Sequence, residues 1–190
     1  TAPIALRERG AFSASELRDA VTSLRTATQL EEAVILSTCN RTEIICTGSV
    51  DDKEAITRWL AQDRHCDLSA LMPSIYHHAQ TDAVSHLIRV SVGLDSMIIG
   101  EPQIFGQMKD AFLTSSNIGA TGSLLEPLFQ YIFNSTKRVR SETAIGRHSV
   151  TAPATAIALA RNIFSDLKTC RALLIGAGEM TEVAGQPLIE

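Results

Sequence analysis

No apolar run in this chain approaches the roughly 20 residues that carry a helix across a bilayer; Val150–Ala160 and Arg171–Gly178 are the longest and fall far short. Nothing near the start reads as a signal peptide, so the expectation is a cytoplasmic protein with no membrane partner. Four cysteines, at 39, 46, 66 and 170, include no Cys-x-x-Cys pair, and no histidines cluster at ligand spacing. That argues against a disulfide framework and a zinc site, leaving four thiols and no metal. Excess positive charge is missing too: 17 basic against 21 acidic residues give a formal charge of −4, so any RNA contact has to be local. Internal repeats and low-complexity tracts are also lacking.

What is present is material for a sizeable core and part of a second, since 45% of the 190 residues are hydrophobic and spread along the whole chain. Ser13-Ala14-Ser15-Glu16 has the form of a capping box, and Leu17, Val21 and Leu24 follow at helical spacing, which predicts a helix over 14–25. Ala33–Leu36 and Glu43–Cys46 predict two short strands joined by the polar stretch Ser37–Thr42. A helix over 53–62 and a short strand at Ser74–His77, after Pro73, complete a small α/β sandwich.

From Thr81 the pattern turns helical, with helices predicted over 83–93, 102–116 and 124–141 and another from Thr151 to Phe164. Pro102 and Pro153 stand in first-turn positions. The run Cys170–Ile175 then predicts a buried strand leading into Gly176-Ala177-Gly178-Glu179-Met180-Thr181 and a helix start. Such a turn lets backbone approach a pyrophosphate, while the helix end supplies N–H groups and a favourable dipole. Thr181 stands where a third glycine would, and the ribose-reading residue falls beyond Glu190, so these residues alone do not complete a dinucleotide site. The fold class predicted is α/β (α+β): a small sheet-and-helix part over 1–80, a helical part over 81–148, a connecting helix within 149–168, and from 169 the first strand, turn and helix of a Rossmann-like domain.

Three places invite a chemical reading. Cys39 sits among small polar residues in Ser37–Glu43, at a strand end. It is either a structural cysteine or a nucleophile, with Arg41 supplying positive charge or gripping a carboxylate. His86, on a helix face with Ala83 and Val90, is either a satisfied boundary histidine or the partner of that thiol; His65, His77, His78 and His148 have weaker claims. The segment Gly93–Gln103 joins two helices through Leu94, Met97, Ile98 and Ile99 and presents Glu101, Gln103 and Gln107 around a helix start. It reads equally as a buried connector or a loop lining a substrate pocket. For RNA the best local candidate is Lys137, Arg138 and Arg140, followed by Arg147 and His148, with a solvated helix face as the alternative.

Taken together, Ser37–Glu43, His86-Leu87, Gly93–Met97, Gly100–Gln107, Lys137–Arg147 and Gly176–Met180 stand in an order that resembles the glutamyl-tRNA reductases over nearly the whole chain. The resemblance implies that Cys39 attacks the glutamyl ester at the tRNA 3′ end to form a thioester. NADPH then reduces it to glutamate-1-semialdehyde, the entry to tetrapyrrole synthesis. It implies proton transfer by His86, a glutamate pocket shaped by Thr38, Asn40, Arg41, Ser96, Glu101, Pro102, Gln103 and Gln107, and a first NADPH-binding turn at Gly176, Ala177, Gly178, Glu179, Met180 and Thr181. Residues 1–148 would be the catalytic, glutamyl-tRNA-binding domain and 169–190 the start of the NADPH domain. An aminomutase taking the aldehyde and a homodimer of the whole protein are implied as partners. The family's usual opening strand, ending in Asn-His, would precede the Thr-Ala-Pro seen here. A cysteine hydrolase or acyltransferase without redox chemistry, and a noncatalytic tRNA-binding module, are the competing readings.

Overall fold

The computed structural model describes residues 2–49, 52–146, 152–164, 167–176, 181, 184 and 185. Its centre is one antiparallel hairpin, β1 (Ala33–Ser37) and β2 (Thr42–Cys46), with Leu36 opposite Glu43 and Ala33 opposite Cys46. Side chains alternate across a strand, so each face of the hairpin feeds a different core. Ala33 and Ile35, with Ile44 and Cys46 beside them, pack with Phe12, Leu30, Trp59 and the inner face of α2 (Leu17–Thr28). Trp59 is carried by α3 (Asp52–Asp63). Val34 and Leu36, with Ile45, pack on α5 (Gln80–Val92), α6 (Gln103–Ser116) and α7 (Leu125–Glu142). A one-residue slip of register would exchange the two sets, so burial on both faces fixes the pairing.

Helix α2 forms where its apolar spacing places it, but its regular part begins at Leu17 after a turn held by Ser13. Half of the capping box is present: the Glu16 carboxylate accepts from Ser13 N at 2.7 Å. The Ser13 hydroxyl donates to that same carboxylate, at 2.6 Å, instead of serving the helix backbone. Core α7 is organised by aromatic packing, with Phe112 stacked on Phe129 at 4.9 Å and Phe133 edge-on to both. Its start is tied to the hairpin by Glu32, a buried carboxylate that accepts from Leu124 N at 3.1 Å and Leu125 N at 2.6 Å. Acidic oxygens are favoured there because the first N–H groups of a helix lack intrahelical partners.

Several expectations need correction. Ser74–His77 is not a strand: Met72–Ser74 is a 3-10 turn containing Pro73, and the next residues are irregular. Proline favours the tight turn, and among the described residues no neighbouring strand offers a ladder there. Two short helices lack strong periodic signals, α1 (Ile4–Gly10), entered through Pro3, and α4 (Leu68–Leu71), capped by the Asp67 side chain. The helix expected from Thr151 to Phe164 forms as α8 (Ala152–Ile163). Cys170–Ile175, by contrast, is no strand among the described residues; Leu173 is 83% and Ile175 87% exposed. An apolar run becomes a strand only with a neighbour to take its N–H and C=O groups, and none of the described residues supplies one. Among the described residues no helix is long and apolar enough to cross a membrane.

Candidate functional site

The hairpin turn is built by one hydroxyl. Thr38 Oγ1 accepts from the backbone N–H of Asn40 at 3.2 Å and of Arg41 at 3.1 Å, while Thr38 N donates to Arg41 O at 2.8 Å. This closes the turn and leaves Cys39 exposed at its tip, with no hydrogen bond among the described residues. Asn40 is tied back by Arg7 of α1, whose Nη1 donates to Asn40 Oδ1 at 2.8 Å. At the far end of the same strand pair Cys46 is half-buried, and burial, helped by the Asp52 charge, pushes its thiol up to about 11. The two thiols of the hairpin therefore differ in kind: one is presented, the other is kept protonated inside.

Past the turn, the alternation of β2 directs Glu43 towards α5. Its carboxylate is buried and meets three groups: Oε1 accepts from Arg41 Nη1 at 2.8 Å and from the Tyr76 hydroxyl at 2.7 Å, and His86 Nε2 lies 2.8 Å from Oε2. Burial first, and the Glu43 charge next, push the Tyr76 phenol well above its ordinary value, so it stays a donor. His86 Nδ1 faces Asp95 Oδ2 at 3.7 Å, and Asp95 also pairs with Arg89 at 3.2 Å. The ring is stacked on His78, centroids 4.4 Å apart, with Tyr76 edge-on at 5.4 Å. Around these groups lies an open cleft of about 540 Å3, lined by Arg41, Tyr76, His78, His86, Arg89 and Asp95 among others.

Arg41 uses two of its five N–H donors inside the protein, Nη1 on Glu43 and Nη2 on the Asp95 carbonyl. Arg41 also lines the cleft, with 17% of its side chain exposed. The loop supplying Asp95 has a narrow neck. Gly93 (φ 87°) and Gly100 (φ 82°) are in the left-handed region, and Gly100 N donates to Gly93 O at 2.9 Å. A Cβ on Gly93 would lie 3.1 Å from Gly100 Cα, and one on Gly100 2.9 Å from Ile145 Cγ1. Glycine is required at both for conformation and for space. Arg140 clamps that neck, donating to Val92 O at 3.0 Å and Gly100 O at 3.3 Å.

These contacts sort the sequence expectations. Arg41 and His86 are brought together, through Glu43 and Asp95. Cys39, Thr38 and Asn40 share the adjoining turn, and no hydrogen bond joins Cys39 to His86 among the described residues. Ser96, Glu101, Pro102, Gln103 and Gln107 lie on the loop and the first turns of α6, outside the residues lining the cleft. The loop is not a buried connector: Met97 is 77% and Ile99 65% exposed. Of the proposed RNA contacts Lys137 and Arg138 are exposed, Arg140 is committed to the neck, and Arg147 and His148 lie outside the described residues.

Ala177, Gly178, Glu179 and Met180 also lie outside the described residues. Gly176, at φ 126°, has the freedom a phosphate turn needs, and the side chain of Thr181 packs against it, 3.0 Å from where a Cβ would stand. Among the described residues no paired strand leads into this segment. Sequence reasoning missed Glu43 and Tyr76 and gave His78 little weight. Glu43 carried a signal, because it shares strand parity with the core-facing Ile45. No group of metal-ligating side chains occurs among the described residues.

Comparison with known proteins bears on this arrangement. The family profile described as "Glutamyl-tRNAGlu reductase, N-terminal domain" matches residues 1–143. A glutamyl-tRNA reductase from Marinobacter nauticus is 45% identical over 190 residues, covering 100% of this chain and 44% of that protein. One from Psychromonas ingrahamii is 46% identical over 190 residues, covering 100% and 45%. Among solved structures, glutamyl-tRNA reductase from Methanopyrus kandleri superimposes with a TM-score of 0.67 at 31% identity, covering 99% of this chain and 44% of that one. The chain thus spans less than half the length of the curated relatives it matches.

Proposed function

The chain belongs to the glutamyl-tRNA reductase family, in the region of its amino-terminal domain, and from that premise we propose that it takes the glutamyl group of glutamyl-tRNA onto Cys39. The observation that carries the proposal is the presented thiol, at the tip of a turn organised by Thr38, directly preceding the Arg41–Glu43–His86 cluster of the cleft. An aminoacyl ester is already activated, so a thiolate can displace the tRNA hydroxyl and leave a thioester. Arg41, which lines the cleft, grips the substrate's side-chain carboxylate with its planar fork. His86 moves the proton. Ser96, Glu101, Pro102, Gln103 and Gln107 help to shape the glutamate pocket.

For the whole protein we propose reduction of that thioester by NADPH to glutamate-1-semialdehyde, the entry to tetrapyrrole synthesis in the cytoplasm. A thioester accepts hydride far better than a carboxylate, which is the chemical reason for the covalent detour. The first NADPH contact is assigned to the turn at Gly176–Thr181, whose glycines have the spacing of a phosphate-binding turn. Residues 1–148 then act as the glutamyl-tRNA-binding catalytic domain, 149–168 as connector and 169–190 as the start of the cofactor domain. A homodimer, and an aminomutase receiving the aldehyde, are the partners proposed for the whole protein.

The test is intact mass spectrometry of the chain and of Cys39→Ala after incubation with glutamyl-tRNA and acid quench. A glutamyl adduct on the first alone is the expected result. An equal adduct on Cys39→Ala, or none on either chain or on the full-length protein, overturns the assignment.

A further inference from the structure

His86 has two nitrogens with different neighbours, and the difference assigns them different work. Nε2 lies against the Glu43 carboxylate, 2.8 Å from Oε2 and 3.1 Å from Oε1. An ionised carboxylate only accepts, so the hydrogen in this contact belongs to the ring nitrogen. Glu43 is held in place by two further donors, Arg41 and Tyr76, both on Oε1. Among the described residues Nδ1 has no such partner: Asp95 Oδ2 is 3.7 Å away, beyond hydrogen-bonding distance, and Asp95 is engaged by Arg89. His78 stacks on one face of the ring and Tyr76 meets the ring at a steep angle. Turning the ring over would carry Nε2 away from the Glu43 carboxylate.

We propose that Glu43 is the positioning residue of His86: it holds the ring proton on Nε2 and leaves Nδ1 as the nitrogen that exchanges a proton in the cleft. The inference deepens the acyl-transfer reading and rests on it. In that reaction the Cys39 Sγ–carbonyl bond forms and the ester C–O bond breaks. The thiol proton ends on the released ribose oxygen; Nδ1 takes it up and hands it on, so the ring returns to its starting state and no further reactant is consumed. The titratable and charged groups facing the ring are Glu43 and Arg41 from the hairpin, Tyr76 and His78 from the segment before α5, Asp95 from the loop, and Asp82 and Arg89 from α5 itself.

Two measurements decide it. Ring nitrogen-15 NMR of the histidine-labelled chain, with the His86 signals assigned by His86→Gln, reads the tautomer at a pH where the ring is neutral. The expected wild-type result is a protonated Nε2 and a bare Nδ1. Glu43→Leu should abolish that preference, whereas Glu43→Gln, whose carbonyl still accepts from Nε2, should retain it. The rate of Cys39 acylation by glutamyl-tRNA should fall on the order of 100-fold in Glu43→Leu and recover in part in Glu43→Gln. A neutral wild-type ring carrying its proton on Nδ1 overturns the proposal even if Glu43→Leu fails to fold, as does an unchanged tautomer in a folded Glu43→Leu. Absence of any Cys39 adduct in wild type overturns the functional reading instead, and the tautomer, which needs no tRNA, is read separately.

Discussion

Ala33-Val34-Ile35-Leu36 and Ala172-Leu173-Leu174-Ile175 are two four-residue runs of almost the same composition. In the first every residue is 1% exposed or less; in the second the three large side chains are 83%, 45% and 87% exposed. The first run has a partner strand on one edge and a helical layer on each face. The second has no paired strand among the described residues. Apolar content is thus a demand for burial, and only neighbours can meet it. The loop of residues 93–100 falls between these extremes, since its Met97 and Ile99 are exposed while its backbone is pinned by Arg140 and by its own glycine neck.

The sharpest way to break the comparison is to truncate both runs. Leu36→Ala should cost about 2–5 kcal/mol in urea denaturation, and Leu173→Ala should stay within about 0.5 kcal/mol. Equal costs would mean that the second run is buried in solution. The intermediate case is tested by Arg140→Ala, which leaves the Val92 and Gly100 carbonyls without their charged donor. A loss of about 1–3 kcal/mol is expected, with faster amide exchange at Gly100.

Cysteines at the ends of the two runs sharpen the contrast by pH. Cys46, opposite Ala33, ionises in the fold only near 11, against about 9 when unfolded. Its contribution is complete below pH 9 and is lost as the pH rises towards 11, where the unfolded state releases its proton first. Stability should drop by on the order of 2 kcal/mol across that window, and Cys46→Ala should flatten the drop. Alkylation near pH 8 should reach the exposed Cys39 and Cys170 before Cys46. The smallest effect is expected at Cys39: Cys39→Ala should shift stability by less than about 0.5 kcal/mol in a denaturant melt while removing the acyl adduct.

Much of the fold was legible because α2, α3, α5, α6 and α7 each bury one face at helical spacing, and the hairpin alternates at period two. The misreadings share a cause. Ser74–His77 and Cys170–Ile175 have strand-like residues, yet strand formation depends on a neighbour that composition does not reveal. Helices α1 and α4 are too short to show a period. At the site, Cys39, Arg41 and His86 stood out by residue type, but Glu43 looked like one more strand glutamate. Arg140, grouped with Lys137 and Arg138 as a candidate RNA contact, proved to be a backbone clamp.

By itself, the sequence determined which stretches bury a face, where the hairpin turns, and that a thiol stands in that turn, because these follow from periodicity and local hydrogen bonding within a few residues. The tertiary structure alone decided that Glu43 joins Arg41, Tyr76 and His86, from segments up to 43 residues apart, and which nitrogen of His86 is left open. Such contacts depend on how helices seat on the two faces of the hairpin, and that is set by the summed packing of both cores and not by any local run of residues.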